Sequence, residues 1–332
     1  MPDSNRYRLL HGGLILLTLI LAVGSLCLGQ YRLSVSNVLS QLLMLATPDG
    51  PAGQIVWSVR LPRILMALLT GGALGLCGAV LQGVFQNPLV DPHIIGVTSG
   101  SAFGGTLAIL LGFSPMVMIA STFSFGLAAL MLVWLIAALQ GRENTLVLIL
   151  SGIIMSGFFA ALVSLMQYMA DTELPNIVFW LLGSFATANW HKVLMLALPV
   201  SIVSLVLLRL RWRINLLALE EKDALALGVP LKTLRRSVLV CCALLVSSQV
   251  AVSGSIAWVG LVIPHLARLL VGADHRRLLP VAFWVGGSFM IVVDDLARTL
   301  TQAEIPIGII TALLGAPVFA GLLIHNSRRS RQ

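Results

Sequence analysis

The sequence predicts an all-α, polytopic membrane protein. Of its 332 residues, 58% are hydrophobic and only 10% are Asp, Glu, Lys or Arg. A soluble domain is about 45–50% apolar and about 25% charged. The mean hydropathy of +0.97 comes from long apolar runs that recur along the whole chain. Such runs predict helices, because a membrane strand would be short and would alternate in polarity.

Ten apolar runs are candidates for spanning helices, each of which needs about 20 residues. They cover residues 10–29, 61–84, 93–112, 115–139, 146–169, 191–210, 237–256, 258–272, 279–300 and 307–325. The eighth run is short. Residues 170–190 are too interrupted to span, and we expect a short partial helix at the membrane edge there. The chain is thus expected to form one transmembrane domain over 1–332.

The distribution of Lys and Arg predicts which side of the membrane each loop faces. Ten spans place both termini on one side, and a cytoplasmic location for both puts sixteen bases inside. Five bases remain outside: Arg32, Arg60, Arg63, Lys192 and Arg298. The net charge of +8 follows from this bias, so we expect a lipid bilayer and no nucleic acid as partner.

Two short motifs suggest an internal repeat. GAVLQGVFQNP runs over 78–88 and GSIAWVGLVIP over 254–264, and each places Gly and Pro ten residues apart. Five spans separate the motifs, and because five is odd, the second half would be inverted. Inverted repeats are common in transporters. We therefore expect two inverted five-helix halves.

Two polar interruptions are candidate functional positions. FQNPLVDPHIIG, 85–96, is a two-proline break that the orientation places on the cytoplasmic side. It fits either a gate beside a water-filled path or an ordinary tight loop. Asp294 and Asp295 lie near the outer end of the ninth span, where charges are usually paired or functional. The spacing of Asp294 and Arg298 allows an ion pair, and the roles of His93 and Asp295 stay open.

The sequence carries no catalytic set. HExxH, GxSxG and P-loop motifs are absent from it. Its four cysteines lie in apolar runs and its six histidines are scattered, so we expect neither a metal site nor a bound cofactor. We therefore expect a protein that is not an enzyme and that must take energy for transport from a partner.

Three long motifs carry a resemblance to a known family. They are RLPRILMALLTGGALGLCGAVLQGVFQNPLVDPHIIGVTSGSAFG at 60–104, GSIAWVGLVIPHLARLLVGADHRRLLP at 254–280 and IPIGIITALLGAPVF from Ile305. They resemble the signatures of the FecCD-type permeases, the membrane subunits of type II ABC importers for iron–siderophores, haem and cobalamin. The resemblance extends over nearly the whole chain.

The resemblance implies an assembly in the bacterial inner membrane. A permease homodimer, or a heterodimer with a sister permease, would be driven by two cytoplasmic ATPase subunits that bind ATP and Mg. A periplasmic binding protein would deliver the chelate. Residues 216–236, LLALEEKDALALGVPLKTLRR, form a charged and amphipathic stretch. They match the family's cytoplasmic coupling segment, two short helices that contact the ATPase.

The resemblance also implies roles for single residues. Coupling to the ATPase is implied at Glu220, Glu221, Asp223, Leu225, Leu227, Gly228 and Val229. A cytoplasmic gate is implied at Asn87, Leu89, Thr145 and Leu146. Docking of the binding protein is implied at Arg60, Arg63 and Arg298.

We therefore expect the permease subunit of an ABC importer for a metal chelate. Iron–siderophore comes first by family frequency, with haem, cobalamin and oxyanions such as molybdate open. The alternative is an energy-independent channel or a proton-coupled carrier. A carrier should place acids or histidines in mid-span as a proton relay, and the middles of the predicted spans hold none.

Overall fold

The computed structural model describes residues 4–29, 31, 33–43, 50–140, 145–217 and 231–329, and these form helices joined by turns and short links. The α-helices are α1 Ser4–Cys27, α2 Val35–Leu42, α3 Pro51–Gln54, α4 Leu61–Val84, α5 Val97–Leu110, α6 Pro115–Leu139, α7 Thr145–Met169, α8 Leu174–Leu181, α9 Trp190–Leu217, α10 Leu231–Ser253, α11 Val259–Val271, α12 His275–Thr299 and α13 Ile307–Arg329. A π-helical stretch, Ile55–Arg60, joins α3 to α4, and a 3₁₀ turn, Pro92–Ile95, precedes α5.

Each predicted span overlaps one of these helices. Seven helical segments of the described chain are long and apolar enough to cross a membrane: α1, the continuous Pro51–Val84, α6, α7, α9, α10 and α12. The other three predicted spans correspond to shorter apolar helices, α5, α11 and the first part of α13. The number of helices that cross the bilayer therefore stays a prediction. The partial helix expected between 170 and 190 is present as α8.

The centre of the bundle is the seam between α4 and α12, where glycines let two backbones touch. A Cβ added to Gly71 would lie 2.1 Å from the carbonyl oxygen of Gly286. One added to Gly78 would lie 1.8 Å from the carbonyl oxygen of Gly260, at the start of α11. Small residues at such contacts allow helices to pack closely in a membrane. This seam fixes the relative positions of the helices that carry the polar clusters at both ends.

The outer helices show large apolar faces. Leu139 on α6, Ile154 on α7 and Leu194 on α9 are 80%, 57% and 66% exposed. Apolar surface of this extent on a single chain indicates contact with lipid or with another subunit.

The two Gly–Pro motifs adopt different local structures. Gly78 lies inside α4, so the first motif runs from a helix into a turn. Gly254 has a φ of +74° in the link after α10, and Pro264 lies inside α11, so the second runs from a link into a helix. The motifs are therefore not structurally equivalent. The inverted halves stay a prediction without support from this pair.

Three helix ends meet within the bundle: the link after α8, the last residue of α10 and the start of α13. The amide nitrogen of Ser184 donates to the carbonyl oxygen of Ser253 at 2.9 Å. The amide nitrogens of Ile307 and Gly308 donate to the carbonyl oxygens of Gly183 and Leu182, each at 2.9 Å. Backbone groups away from water must be satisfied in this way. These bonds tie the start of α13 to the end of α8.

Candidate functional site

The three predicted docking arginines meet at one end of the bundle, here called the outer end, where α1 and α12 finish and α4 begins. Arg60, Arg63 and Arg298 are only 5%, 7% and 9% exposed. The guanidinium of Arg60 donates to the carbonyl oxygens of Leu26 and Tyr31. In the single chain these arginines are therefore buried and already have partners. Their role in docking stays a prediction.

Arg63 connects three parts of the outer end. Its Nε lies 2.9 Å from both carboxylate oxygens of Asp294, which is 1% exposed. Its Nη1 donates to Oε1 of Glu304 at 2.7 Å, while Oε2 of Glu304 is buried without a hydrogen-bond partner. A buried carboxylate requires such a counter-charge. Arg63 thereby joins α4 to α12 and to the link before α13.

Arg298 makes a second junction, between α12 and α1. Its guanidinium contacts Asp295, and it donates to Oγ of Ser25 at 2.7 Å and to the carbonyl oxygen of Leu28 at 2.9 Å. The pair with Asp294 that the spacing allowed is longer, with 3.9 Å between nitrogen and oxygen. Asp295, whose role was open, accepts from both Arg298 and Ser25. It therefore ties two helices together.

The proline-broken segment 85–96 lies at the opposite end, here called the inner end, where α4 finishes and α7 begins. Oδ1 of Asn87 accepts from the amide of Leu89 at 2.9 Å, and Oδ1 of Asp91 accepts from the amide of His93 at 2.9 Å. Side chains of this type mimic a backbone turn and replace the donors that proline lacks. Gln86, with a φ of +51°, begins the turn.

This segment is wedged between helices. Oγ of Ser156 on α7 donates to the carbonyl oxygen of His93 at 3.3 Å. A Cβ added to Gly152 would lie 2.1 Å from the carbonyl oxygen of Ile94, and one added to Gly260 would lie 2.4 Å from the ring of Pro92. Irregular backbone within a membrane bundle is tolerated where it is enclosed by protein or lines a water-filled space. The position argues against an ordinary surface loop.

The predicted gate residues differ in exposure. Asn87 and Thr145 are half-buried, while Leu89 and Leu146 are 51% and 63% exposed. The structure joins Asn87 to Leu89 directly. Thr145 is the first residue of α7. The gate stays a prediction.

The predicted coupling residues Glu220, Glu221, Asp223, Leu225, Leu227, Gly228 and Val229 lie outside the described residues. The two flanks of that segment are described. Leu217 ends α9 and Leu231 begins α10, and both are buried. The carbonyl oxygen of Leu217 accepts from Nε2 of Gln86 at 3.0 Å. One flank of the segment is therefore bonded to the proline-broken turn.

A polar cluster next to that flank was missed by the sequence analysis. Nδ2 of Asn215 donates to Asp274 at 2.8 Å, and Oδ1 of Asn215 accepts from the amide of His275 at 2.9 Å. Burial raises the pKa of Asp274, but hydrogen bonds from Arg276 and Asn215 outweigh it and bring the pKa to about 2. Asp274 is the N-cap of α12, and an Asp directly before a helix is the signal that could have revealed it.

Comparison with known proteins shows which family the chain resembles. The model of the FecCD transport family matches residues 16–325. The molybdate import system permease protein MolB of Haemophilus influenzae is 54% identical, over 99% of this chain and 98% of that protein. The hemin transport system permease protein HmuU of Yersinia pestis is 37% identical, over 96% of each.

A solved structure agrees with these matches. It is described as an inward-facing conformation of a metal-chelate type ABC transporter. It is 53% identical in sequence, covers 95% of this chain and 99% of its own, and superimposes with a TM-score of 0.88. With the family model matching from residue 16 to residue 325, the chain belongs to the FecCD transport family.

Proposed function

We propose that the chain is the permease subunit of an ATP-binding-cassette importer in a bacterial inner membrane, with molybdate as the favoured cargo. The observation that carries the proposal is the 54% identity to a molybdate permease over 99% of this chain. This identity favours molybdate over the iron–siderophore that the sequence analysis put first. A metal chelate such as haem is the second candidate, supported by the 37% identity to a hemin permease.

Energy for import would come from separate ATPase subunits. The sequence has no P-loop, so two ATPase subunits would bind ATP and Mg and push on the coupling segment 216–236. The described flank offers a physical route for that push. The bond from Gln86 to Leu217 links the segment to the proline-broken turn, and the bonds of Asn215 link it to α12.

The cargo path would run between two copies of the chain, or between this chain and a sister permease. The exposed apolar faces of the outer helices supply surface for lipid and for such a partner. Asn87, Leu89, Thr145 and Leu146 would line the inner mouth of the path. The wedged position of segment 85–96 supports this role, because irregular backbone at such a depth can border a water-filled space.

A periplasmic binding protein would dock at the outer end, around Arg60, Arg63 and Arg298. Since these guanidinium groups already have internal partners, an acid of the binding protein would compete with Asp294, Asp295 and Glu304. Glu304 is the partner that competes least well, because its side chain is 35% exposed while that of Asp294 is 1% exposed.

Reconstituted transport tests the proposal. The permease, its ATPase and its binding protein are placed in proteoliposomes, and uptake of radiolabelled molybdate is compared with uptake of iron–siderophore and of haem. We expect uptake of molybdate that requires ATP and the binding protein. A matched control replaces the catalytic glutamate of the ATPase and should abolish uptake.

The other outcomes are decisive as well. If haem or iron–siderophore is taken up in an ATP-dependent way and molybdate is not, the cargo is a metal chelate and molybdate is excluded. Uptake that follows the cargo gradient without ATP would indicate a channel, and uptake that follows an imposed pH gradient would indicate a proton-coupled carrier. Either of these last two results contradicts the importer.

A further inference from the structure

A small cavity of about 280 Å³ lies at the inner end, between α4, α11 and α12. Its polar lining includes Gln82, Asn87, Arg268 and His275. None of the residues that line it is an acid. The wall of this cavity therefore carries a guanidinium and no carboxylate.

The guanidinium of Arg268 is held in place by a buried amide. Gln82 is 3% exposed, and its Nε2 donates to the carbonyl oxygens of Val90 at 3.2 Å and Leu261 at 3.4 Å. These bonds fix the orientation of the amide, so that its Oε1 accepts from Nη2 of Arg268. A neutral amide orients the guanidinium but does not neutralise it.

Arg268 has no carboxylate within ion-pair distance among the residues that the structure describes. The nearby Asp274 instead pairs with Arg276 and accepts from Asn215. Arg268 is partly buried, and a charge in that position is costly unless a counter-ion or a strong hydrogen-bond acceptor meets it. Within the described part of the chain, the side chain that meets this guanidinium is therefore a neutral amide and not an anion.

Asn87 supplies a second hydrogen-bond donor to the cavity. Oδ1 of Asn87 already accepts from the amide of Leu89, which leaves the Nδ2 of Asn87 as a donor. His275 is not counted as a donor, because its Nδ1 lies 2.8 Å from Oδ1 of Asn215 and its Nε2 lies 3.3 Å from the carbonyl oxygen of Ala79. A guanidinium and an amide N–H together match the oxygens of a tetrahedral anion.

We propose that this cavity binds a tetrahedral oxyanion of the phosphate class through Arg268, with Asn87 as a second donor. Arginine is favoured for such anions because its planar fork donates two parallel hydrogen bonds. Basic pockets between membrane helices on the cytoplasmic side bind phospholipid headgroups. The oxyanion is therefore a lipid phosphate or a free anion in solution. The site shares Asn87 with the inner mouth of the proposed cargo path, whereas Arg268 has no part in that path, so removal of Arg268 is the change that tests the site.

Direct binding of inorganic phosphate tests the site. Radiolabelled phosphate is titrated into the purified, delipidated permease by equilibrium dialysis, with chloride keeping the ionic strength constant. We expect saturable binding of one phosphate per chain. We expect Arg268→Gln to weaken it at least tenfold, while Arg277→Gln, which removes a base stacked over Tyr7 at the same end, leaves it unchanged.

Two further arms complete the experiment. Gln82→Glu places a carboxylate beside Arg268 without removing it, and we expect this change also to weaken phosphate binding. Displacement of phosphate by vesicles of phosphatidylglycerol, but not by phosphatidylcholine, would identify a lipid headgroup as the occupant; no displacement would identify a free anion. Binding that is absent, unsaturable or unchanged in Arg268→Gln and Gln82→Glu would overturn the proposal.

Discussion

The two ends of the bundle are held together by different chemistry. At the outer end, carboxylates of Asp294, Asp295 and Glu304 meet the guanidinium groups of Arg63 and Arg298. At the inner end, the amides of Asn215 and Gln82 make the long-range bonds. Breaking a buried ion pair costs about 3–5 kcal/mol, whereas a typical hydrogen bond contributes about 0.5–1.5 kcal/mol net.

The difference indicates which end can move. Separating the helices at the outer end would leave charges without partners in a low-dielectric interior, so we expect that end to stay closed as a unit. Separating the helices at the inner end would exchange amide hydrogen bonds for hydrogen bonds to water, which costs little free energy. In the proposed importer, the force from an ATPase would act at the inner end, which is the end that separates at the lower cost.

The largest expected effect is at Asp294. Asp294→Asn leaves the guanidinium of Arg63 without its buried counter-charge, and we expect a loss of about 3–5 kcal/mol in stability. The measurement is unfolding of the purified permease in detergent. Asp171→Asn, a change at an exposed acid, is the matched control and should have no effect. Equal stability of the two variants would contradict the outer-end ion pair.

A smaller effect is expected at the inner end. Asn215→Ala removes a donor to Asp274 and an acceptor for His275, and we expect a loss of about 1–3 kcal/mol. Asn176→Ala, at an exposed asparagine on α8, is the control. If the inner end transmits force, Asn215→Ala should also lower uptake per ATP hydrolysed. Unchanged coupling would confine Asn215 to a structural role.

Glu304→Gln tests whether Arg63 binds the binding protein in addition to its partners within the chain. The side chain of Glu304 is 35% exposed, so we expect a stability loss of no more than about 1 kcal/mol. If Arg63 also binds an acid of the binding protein, the change removes a competitor and should tighten docking several-fold at low salt. Docking that is unchanged or weaker would assign Arg63 to the internal network alone.

The smallest effect concerns pH at the inner end. The pKa of Asp274 is about 2 in the folded chain, and that of an unfolded Asp is about 3.9. A depressed folded value means that the carboxylate stabilises the fold above about pH 4 and loses this contribution as the pH falls towards 2. The stability difference between wild type and Asp274→Asn should therefore shrink over that window. A constant difference would contradict the bonded carboxylate.

Local sequence patterns were sufficient to predict the positions of most helices. Apolar run length placed the helices, because a bilayer demands about 20 apolar residues wherever a helix crosses it. The short run at 258–272 became the 13-residue α11, and the interruption at 170–190 became α8. The three family motifs were sufficient to identify the family, since each is a long continuous string.

Contacts between distant residues were decided only by the tertiary structure. Arg63 and Asp294 are 231 positions apart, and their pairing depends on the glycine seam that brings α4 against α12. The spacing on one helix face allowed a pair of Asp294 with Arg298, and that pair is present but longer, at 3.9 Å. The sequence assigned Arg63 and Arg298 to docking but did not indicate that the fold buries them. Run length and composition determine that a segment is a membrane helix, but the burial and partner of a charge depend on which helices pack beside it.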